Sequence, residues 1–298
     1  MHVYQRSVYG QMIFYDLEDY LIFYMIFSVY ARHYRVKVLE LCIMPNHVHV
    51  LLVSDDTESM SSFVRHYTSV FVREYNDDIG RRGPLFHKSF GSAPKKGGKS
   101  MRSTIVYIGN NPVEQGLSQA ADGYRWNFLA YIKRKLSGQS VPLRSLGRRL
   151  QRAFKYVNSA HEGSRYLTYE QLRRLMQDLT AEEKEKLTDH IIMTYFPFDV
   201  DALLSFYPSY EDMINAMRST SGKEYDLKEM YTPEPDTAYR KMMSVLKKRG
   251  IVDSEGQARR VTVLSVDEKY KIAHLLREET DAHINQICRF LHLPVLKL

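Results

Sequence analysis

Residues 42–52 read CIMPNHVHVLL, and the β-rich runs on either side of the Pro45-Asn46 pair decide how the first part of the chain folds. Val36 to Met44 and His47 to Val53 carry the branched and apolar residues of strands, and Pro-Asn is a turn signal, so the two runs read as a hairpin or as adjacent strands. On a strand His47 and His49, two positions apart, point to one face while Val48, Val50 and Leu52 point to the other. Two neutral imidazoles on one face make a two-fingered metal site. It needs one or two further ligands and keeps positions open for water or a phosphate oxygen. The plain alternative is a pair of histidines on a half-exposed strand.

Working outward, Val3 to Phe14 is β-rich, and Asp16 to Tyr34 predicts a helix whose acidic first turn suits the positive end of its dipole. After the hairpin, Met60, Phe63, Val64, Tyr67, Phe71 and Tyr75 recur at three- and four-residue steps, which predicts an amphipathic helix from about Glu58 to Asn76. A Gly/Pro/Lys-rich loop, Gly91 to Gly98, leads to a helix from about Ser100 to Asn110 that ends near Asn111 because Pro112 follows. Strand, helix, two strands, helix, then further strand and helix is an α+β pattern with an antiparallel sheet of the ferredoxin-like sort. On the last of these helices Tyr107 and Asn111 are four apart and share a face. A phenol has a pKa of about 10, but a neighbouring cation makes its oxyanion accessible as a nucleophile. An amide oxygen one turn on can complete an ion's ligand shell. With 22 tyrosines in the chain, core packing is the plain alternative for Tyr107.

Composition narrows the class. The 298 residues suggest two domains, and 44% hydrophobic with 26% charged residues is ordinary for a folded chain. Two cysteines, Cys42 and Cys288, argue against a disulfide scaffold and against a thiolate zinc site, and suit the cytoplasm. The apolar run Tyr20 to Tyr30 is far shorter than the roughly 20 residues a membrane helix needs. It follows an acidic turn and has no small-residue cleavage site behind it, so neither membrane nor export is expected.

The net charge of +7 is concentrated. Between Ile79 and Val113 there is no acid, while Arg81, Arg82, Lys88, Lys95, Lys96, Lys99 and Arg102 are basic; a second acid-free run, Lys133 to Lys155, includes Arg144, Arg148 and Arg149. Such runs suit phosphate backbones, with a solvated linker as the alternative. These charges divide the chain into residues 1–135, a basic linker at 136–160 that contains Ser137 to Pro142, and a helix-dominated domain at 161–298. Helices are expected at Thr168 to Leu179, Thr180 to Tyr195, Ser209 to Ser219 and Thr237 to Arg249. Residues 265–294 read as two short helices with a tight connection, either a helix-turn-helix or a closing αα-hairpin. On the second helix Asn285, Gln286 and Arg289 are the candidate readers of base edges in duplex DNA.

The order CIMPNHVHVLL, then YIGNNPVEQGL at 107–117 about 55 residues on, resembles the single-tyrosine HUH transposases, in particular the REP-associated tyrosine transposases. The opening HVYQR, the IFYDLEDYLIF helix start, GPLFHKSF at 83–90 and YRWNF at 124–128 extend the resemblance over residues 1 to about 132. It implies a ferredoxin-like nuclease domain in which His47 and His49 hold Mg²⁺ or Mn²⁺, with Asn111 as third ligand. Tyr107 would attack a phosphodiester of single-stranded or hairpin DNA to give a 5′-phosphotyrosine and a free 3′-hydroxyl. Relatives commonly carry Arg-Ala where this chain has Glu114-Gln115, and Arg-Gly where it has Arg6-Ser7, which bears on the DNA recognised rather than on the chemistry. Lys88, with Arg81, Arg82, Lys95, Lys96 and Arg102, is expected on phosphates; His87 is as well explained by packing. The expected assembly is a monomer or a homodimer. A catalytically silent DNA-binding protein that regulates repeats, and a metal phosphodiesterase in which water replaces the tyrosine, are the alternatives.

Overall fold

Four strands and the helices between them build the first part of the chain in the expected order: β1 His2–Arg6, α1 Leu17–His33, β2 Lys37–Met44, β3 His47–Val53, α2 Thr57–Ile79, β4 Gly91–Ala93 and α3 Gly97–Glu114. The computed structural model describes residues 1–54, 56–138, 146–220, 235–252 and 257–294. The sheet order is β2-β3-β1-β4 with antiparallel neighbours throughout, the ferredoxin-like arrangement. The fold is α+β, with a mostly helical C-terminal part.

Alternation along the strands divides the sheet into two working faces. Val3, Val48 and Val50 are buried on the side of α1 and α2, where the Gln5 amide donates to Thr68 Oγ1 at 2.7 Å and accepts from Tyr67. His2, His47 and His49 meet α3 on the other side. Helix α1 starts at a reciprocal cap in which Asp16 and Asp19 satisfy each other's backbone N–H groups.

Two local expectations differ from what is observed. Gly91 to Gly98 is not all loop, because Gly91–Ala93 pairs with β1 as an edge strand; at Gly91 a side chain would run into the Tyr4 ring, so only glycine lets this strand close. Helix α3 does not stop at Asn111 but carries Pro112 in its last turn. A proline so near the end forfeits a single helical hydrogen bond, and the turn is still closed by Gln115 N–H on Asn111 O at 3.1 Å and Leu117 N–H on Pro112 O at 2.8 Å.

The helical part comprises α4 Leu129–Leu136, α5 Arg148–Glu162, α6 Tyr169–Met176, α7 Ala181–Thr194, α8 Val200–Leu204, α9 Tyr210–Thr220, α10 Thr237–Lys248, α11 Val266–Glu279 and α12 Ile284–Leu291. Capping boxes at Thr168, Thr180 and Ser265 open α6, α7 and α11. Much of the segment read as a basic linker is α5, which buries Leu150, Ala153, Phe154 and Val157; residues 139–145, with Arg144 and part of the Ser137 to Pro142 stretch, lie outside the described residues. One apolar core runs from Val3 to Met217, so the break in charge near Glu162 is not a break in packing. A second core joins residues 238–293 to Met12 and Tyr15. Among the described residues no helix is long and apolar enough to cross a membrane.

Candidate active site

The turn that starts β3 is pinned from behind: Pro45 O accepts the N–H groups of Ile13 at 2.8 Å and Phe14 at 3.1 Å, and Asn46 O accepts Ser7 N–H at 2.9 Å. His47 and His49 therefore leave a fixed backbone on the face covered by α3. Their rings lie 4.9 Å apart and nearly perpendicular.

Each imidazole is oriented through its Nδ1. Asn46 Oδ1 only accepts, so His47 Nδ1 carries the proton and donates to it at 2.6 Å. Asn111 Nδ2 donates to His49 Nε2 at 3.4 Å, which puts the His49 proton on Nδ1, where it is donated to His2 Nε2 at 3.1 Å. Both Nε2 atoms thus face Asn111, and His47 Nε2 is 3.3 Å from Asn111 Oδ1. With the proton on Nδ1, His47 Nε2 presents a lone pair to the Asn111 amide, whose oxygen is itself a ligand for a hard cation. The spacing suits one, since ligands at about 2.1 Å from an octahedral Mg²⁺ and at right angles stand about 3 Å apart.

The residues present therefore fit a divalent ion held by His47 Nε2, His49 Nε2 and Asn111 Oδ1. Among the described residues no three His, Cys, Asp or Glu side chains form such a group alone, so the amide is integral to the set.

Burial sets the charge state. It pushes His47 down to about 4 and His49 well below the usual imidazole range, and His2 down to about 4 with a further contribution from Lys95. All three are neutral at pH 7, the form that ligates. Tyr107, one turn before Asn111 on α3, is buried with its ring 5.6 Å from that of His49 and 6.0 Å from that of His2, edge-on to both. At Gly109, between them, a side chain would strike Met217, so glycine lets α3 and α9 pack closely.

The structure thus brings together Tyr107, His47, His49 and Asn111. It adds His2 and Asn46, which hold the imidazole tautomers, and Arg6, which pairs with His47 in the β1–β3 register. His2 was legible in principle: two-residue alternation puts His2, Tyr4 and Arg6 on one face of β1, but nothing in the sequence gives the register that sets this face beside His49.

The expected DNA contacts divide. Arg82, Lys88, Lys96 and Arg102 are exposed. Lys95 lies near enough to the site for its charge to act on His2. Among the described residues none of these five forms an ion pair with a carboxylate. Arg81 instead clamps its own loop, donating to Asn76 Oδ1, Gly83 O and Pro84 O at 3.0–3.1 Å. The second basic run is partly neutralised, because Asp189 pairs with Arg134 at 3.1 Å, Asp178 with Arg149 at 3.8 Å and Glu211 with Lys133 at 4.0 Å.

The two C-terminal helices form, but α12 has no exposed residue. Gln286 is buried with its amide on Pro235 O at 3.0 Å, Arg289 packs against Gly10, and Asn285 is half-buried with its Oδ1 turned inward. A helix so embedded cannot enter a groove, and the hairpin reading describes it better than a helix-turn-helix reader.

The site is thus a ferredoxin-like sheet that presents two imidazoles to a tyrosine- and amide-bearing helix. Residues 2–111 match the family described as "Transposase IS200 like". This match supports a transposase-type, DNA-processing enzyme, with DNA as its partner. Comparison with curated proteins and with solved structures gave no match.

Proposed function

We propose that the protein is a metal-dependent enzyme of the single-tyrosine HUH kind, in the REP-associated branch, which nicks and rejoins single-stranded or hairpin DNA. The observation that carries this reading is the convergence of His47 Nε2, His49 Nε2 and the Asn111 amide within 3.3–3.4 Å contacts, one helical turn from Tyr107. A bound Mg²⁺ or Mn²⁺ supplies Lewis-acid stabilisation of charge developing on the scissile phosphate. The protein supplies the rest. Neutral imidazoles, oriented by Asn46 and His2, are already in the protonation state that ligates, His49 Nε2 exchanging its Asn111 Nδ2 contact for the ion, and α3 holds the phenol and the amide at one fixed spacing.

In the reaction the Tyr107 Oη–phosphorus bond forms as the bond from phosphorus to the 3′-oxygen breaks. The phenol loses its proton and the 3′-oxygen gains one, so the products are a 5′-phosphotyrosine and a free 3′-hydroxyl. The phosphoester is retained, and attack by the same or another 3′-hydroxyl reverses the step or joins new ends without an external nucleotide. Arg82, Lys88, Lys95, Lys96 and Arg102 would track the strand.

Incubation of the chain and Mn²⁺ with a labelled hairpin tests this. The expected result is a covalent adduct that disappears in Tyr107→Phe; cleavage without an adduct would indicate a hydrolase, and a mobility shift alone a silent binder.

A further inference from the structure

Between the first core and α10 lies a cleft of about 440 Å³, within the range of pockets that enclose small ligands. One wall is a single face of α10, set at helical spacing from its N-cap: Asp236, Tyr239, Arg240 and Lys247. The facing wall includes Tyr20 and Trp126, whose rings are stacked 4.5 Å apart at 13°. Pro45, two residues before His47, also lines the cleft.

Three features distinguish it from a packing seam. A flat aromatic pair is a platform on which any base stacks. Arg240 and Lys247 are exposed cations, placed for the phosphates on either side of such a base. Asp236 is only 4% exposed, yet its Oδ2 has no hydrogen-bond partner. A buried acceptor left unpaired is costly, and a ligand that donates to it removes that cost.

We propose that this cleft takes one unstacked nucleobase of the bound DNA strand, and that Asp236 selects a base with an exocyclic amino group over thymine. The proposal rests on the DNA-processing reading above and adds to it a base-specific subsite. Adenine, cytosine and guanine each offer an amino N–H to Oδ2. Thymine presents carbonyl oxygens in the corresponding places, and its one edge donor, N3–H, sits between two of them, so an ionised carboxylate reaches it only against their repulsion. Because one base-edge contact decides the preference, an affinity ratio of about tenfold is expected.

The chain has a single tryptophan, so its fluorescence reports on this cleft. The experiment titrates the full chain, in EDTA to prevent cleavage, with 12-nucleotide oligocytidylate and oligothymidylate, following fluorescence anisotropy of the labelled strand and Trp126 emission. Expected are quenching of Trp126 and about tenfold tighter binding of oligocytidylate. Asp236→Ala should erase the preference while leaving oligothymidylate affinity unchanged; Asp236→Asn, which keeps an acceptor oxygen, should retain most of it. Equal binding of both strands without a change in Trp126 emission, or a preference for oligothymidylate, overturns the subsite and leaves the DNA-processing reading standing. Failure of both strands to bind overturns that reading and the subsite with it.

Discussion

Two buried polar clusters flank the sheet, and they use polarity in opposite ways. Among α1, α2 and α6, the fully buried Arg259 donates to Asp19 and Asp78, its guanidinium lies 3.7 Å from the centre of the Tyr169 ring, and Arg173 joins Asp78 to Glu18. Opposed charges are matched there, and the cluster ties the segment before α11 to the first core. Under α3, by contrast, the imidazoles of His2, His47 and His49 are neutral, and His47 Nε2 and Asn111 Oδ1, both uncharged, lie 3.3 Å apart. A buried charge kept with its partner holds elements together, whereas converging neutral donors hold a place for a charge that arrives from outside.

The largest effect expected from this contrast is on stability. Arg259→Met leaves Asp19 buried without its counter-ion, although Asp78 keeps Arg173, and should cost about 3–5 kcal/mol in urea unfolding, while Mn²⁺ affinity of the folded fraction is unchanged. His2→Phe should do the reverse. Stability should fall by less, about 1–3 kcal/mol, the cost of leaving the buried His49 Nδ1–H without an acceptor. Mn²⁺ affinity, read by isothermal titration, should weaken by about 10–100-fold, the usual effect of removing a partner that orients a ligand. A variant that damaged both properties equally would remove the distinction between the clusters.

The pH dependence follows from the same burial. His2 and His47 are pushed down to about 4, so they bind fewer protons folded than unfolded between that value and the free imidazole range near 6.5. Their contribution to stability is complete above pH 6.5 and is lost as pH falls toward 4. Side-chain nitrogen NMR at pH 5.5 should show both rings still neutral, where a free imidazole is about nine-tenths protonated. A smaller effect is expected at the surface. Lys96→Ala and Arg102→Ala should each lower the salt dependence of single-strand binding by about 0.7, whereas Gln286→Ala, buried in α12, should leave it unchanged.

How much of this was legible depended on whether a feature is local. Two-residue alternation at His47 and His49 and four-residue spacing at Tyr107 and Asn111 gave the site's faces, and turn and cap chemistry gave most helix starts. What depends on register and tertiary packing was not legible. His2 joins the site only because β1 lies beside β3, and the second basic run finds its carboxylates on α7 and α9 and in the turn after α6. Asn285, Gln286 and Arg289 have the right chemistry for base edges, but α12 is embedded against Pro235 and Gly10. The proline rule failed at Pro112 because it disfavours, without forbidding, a helix that continues for its last turn.

The central claim is tested most directly by mass spectrometry of proteolysed protein after reaction with hairpin DNA and Mn²⁺. The account predicts a nucleotide-bearing peptide modified at Tyr107, absent when EDTA replaces Mn²⁺. Cleaved DNA with Tyr107 unmodified, or an adduct on another of the 22 tyrosines, would contradict it.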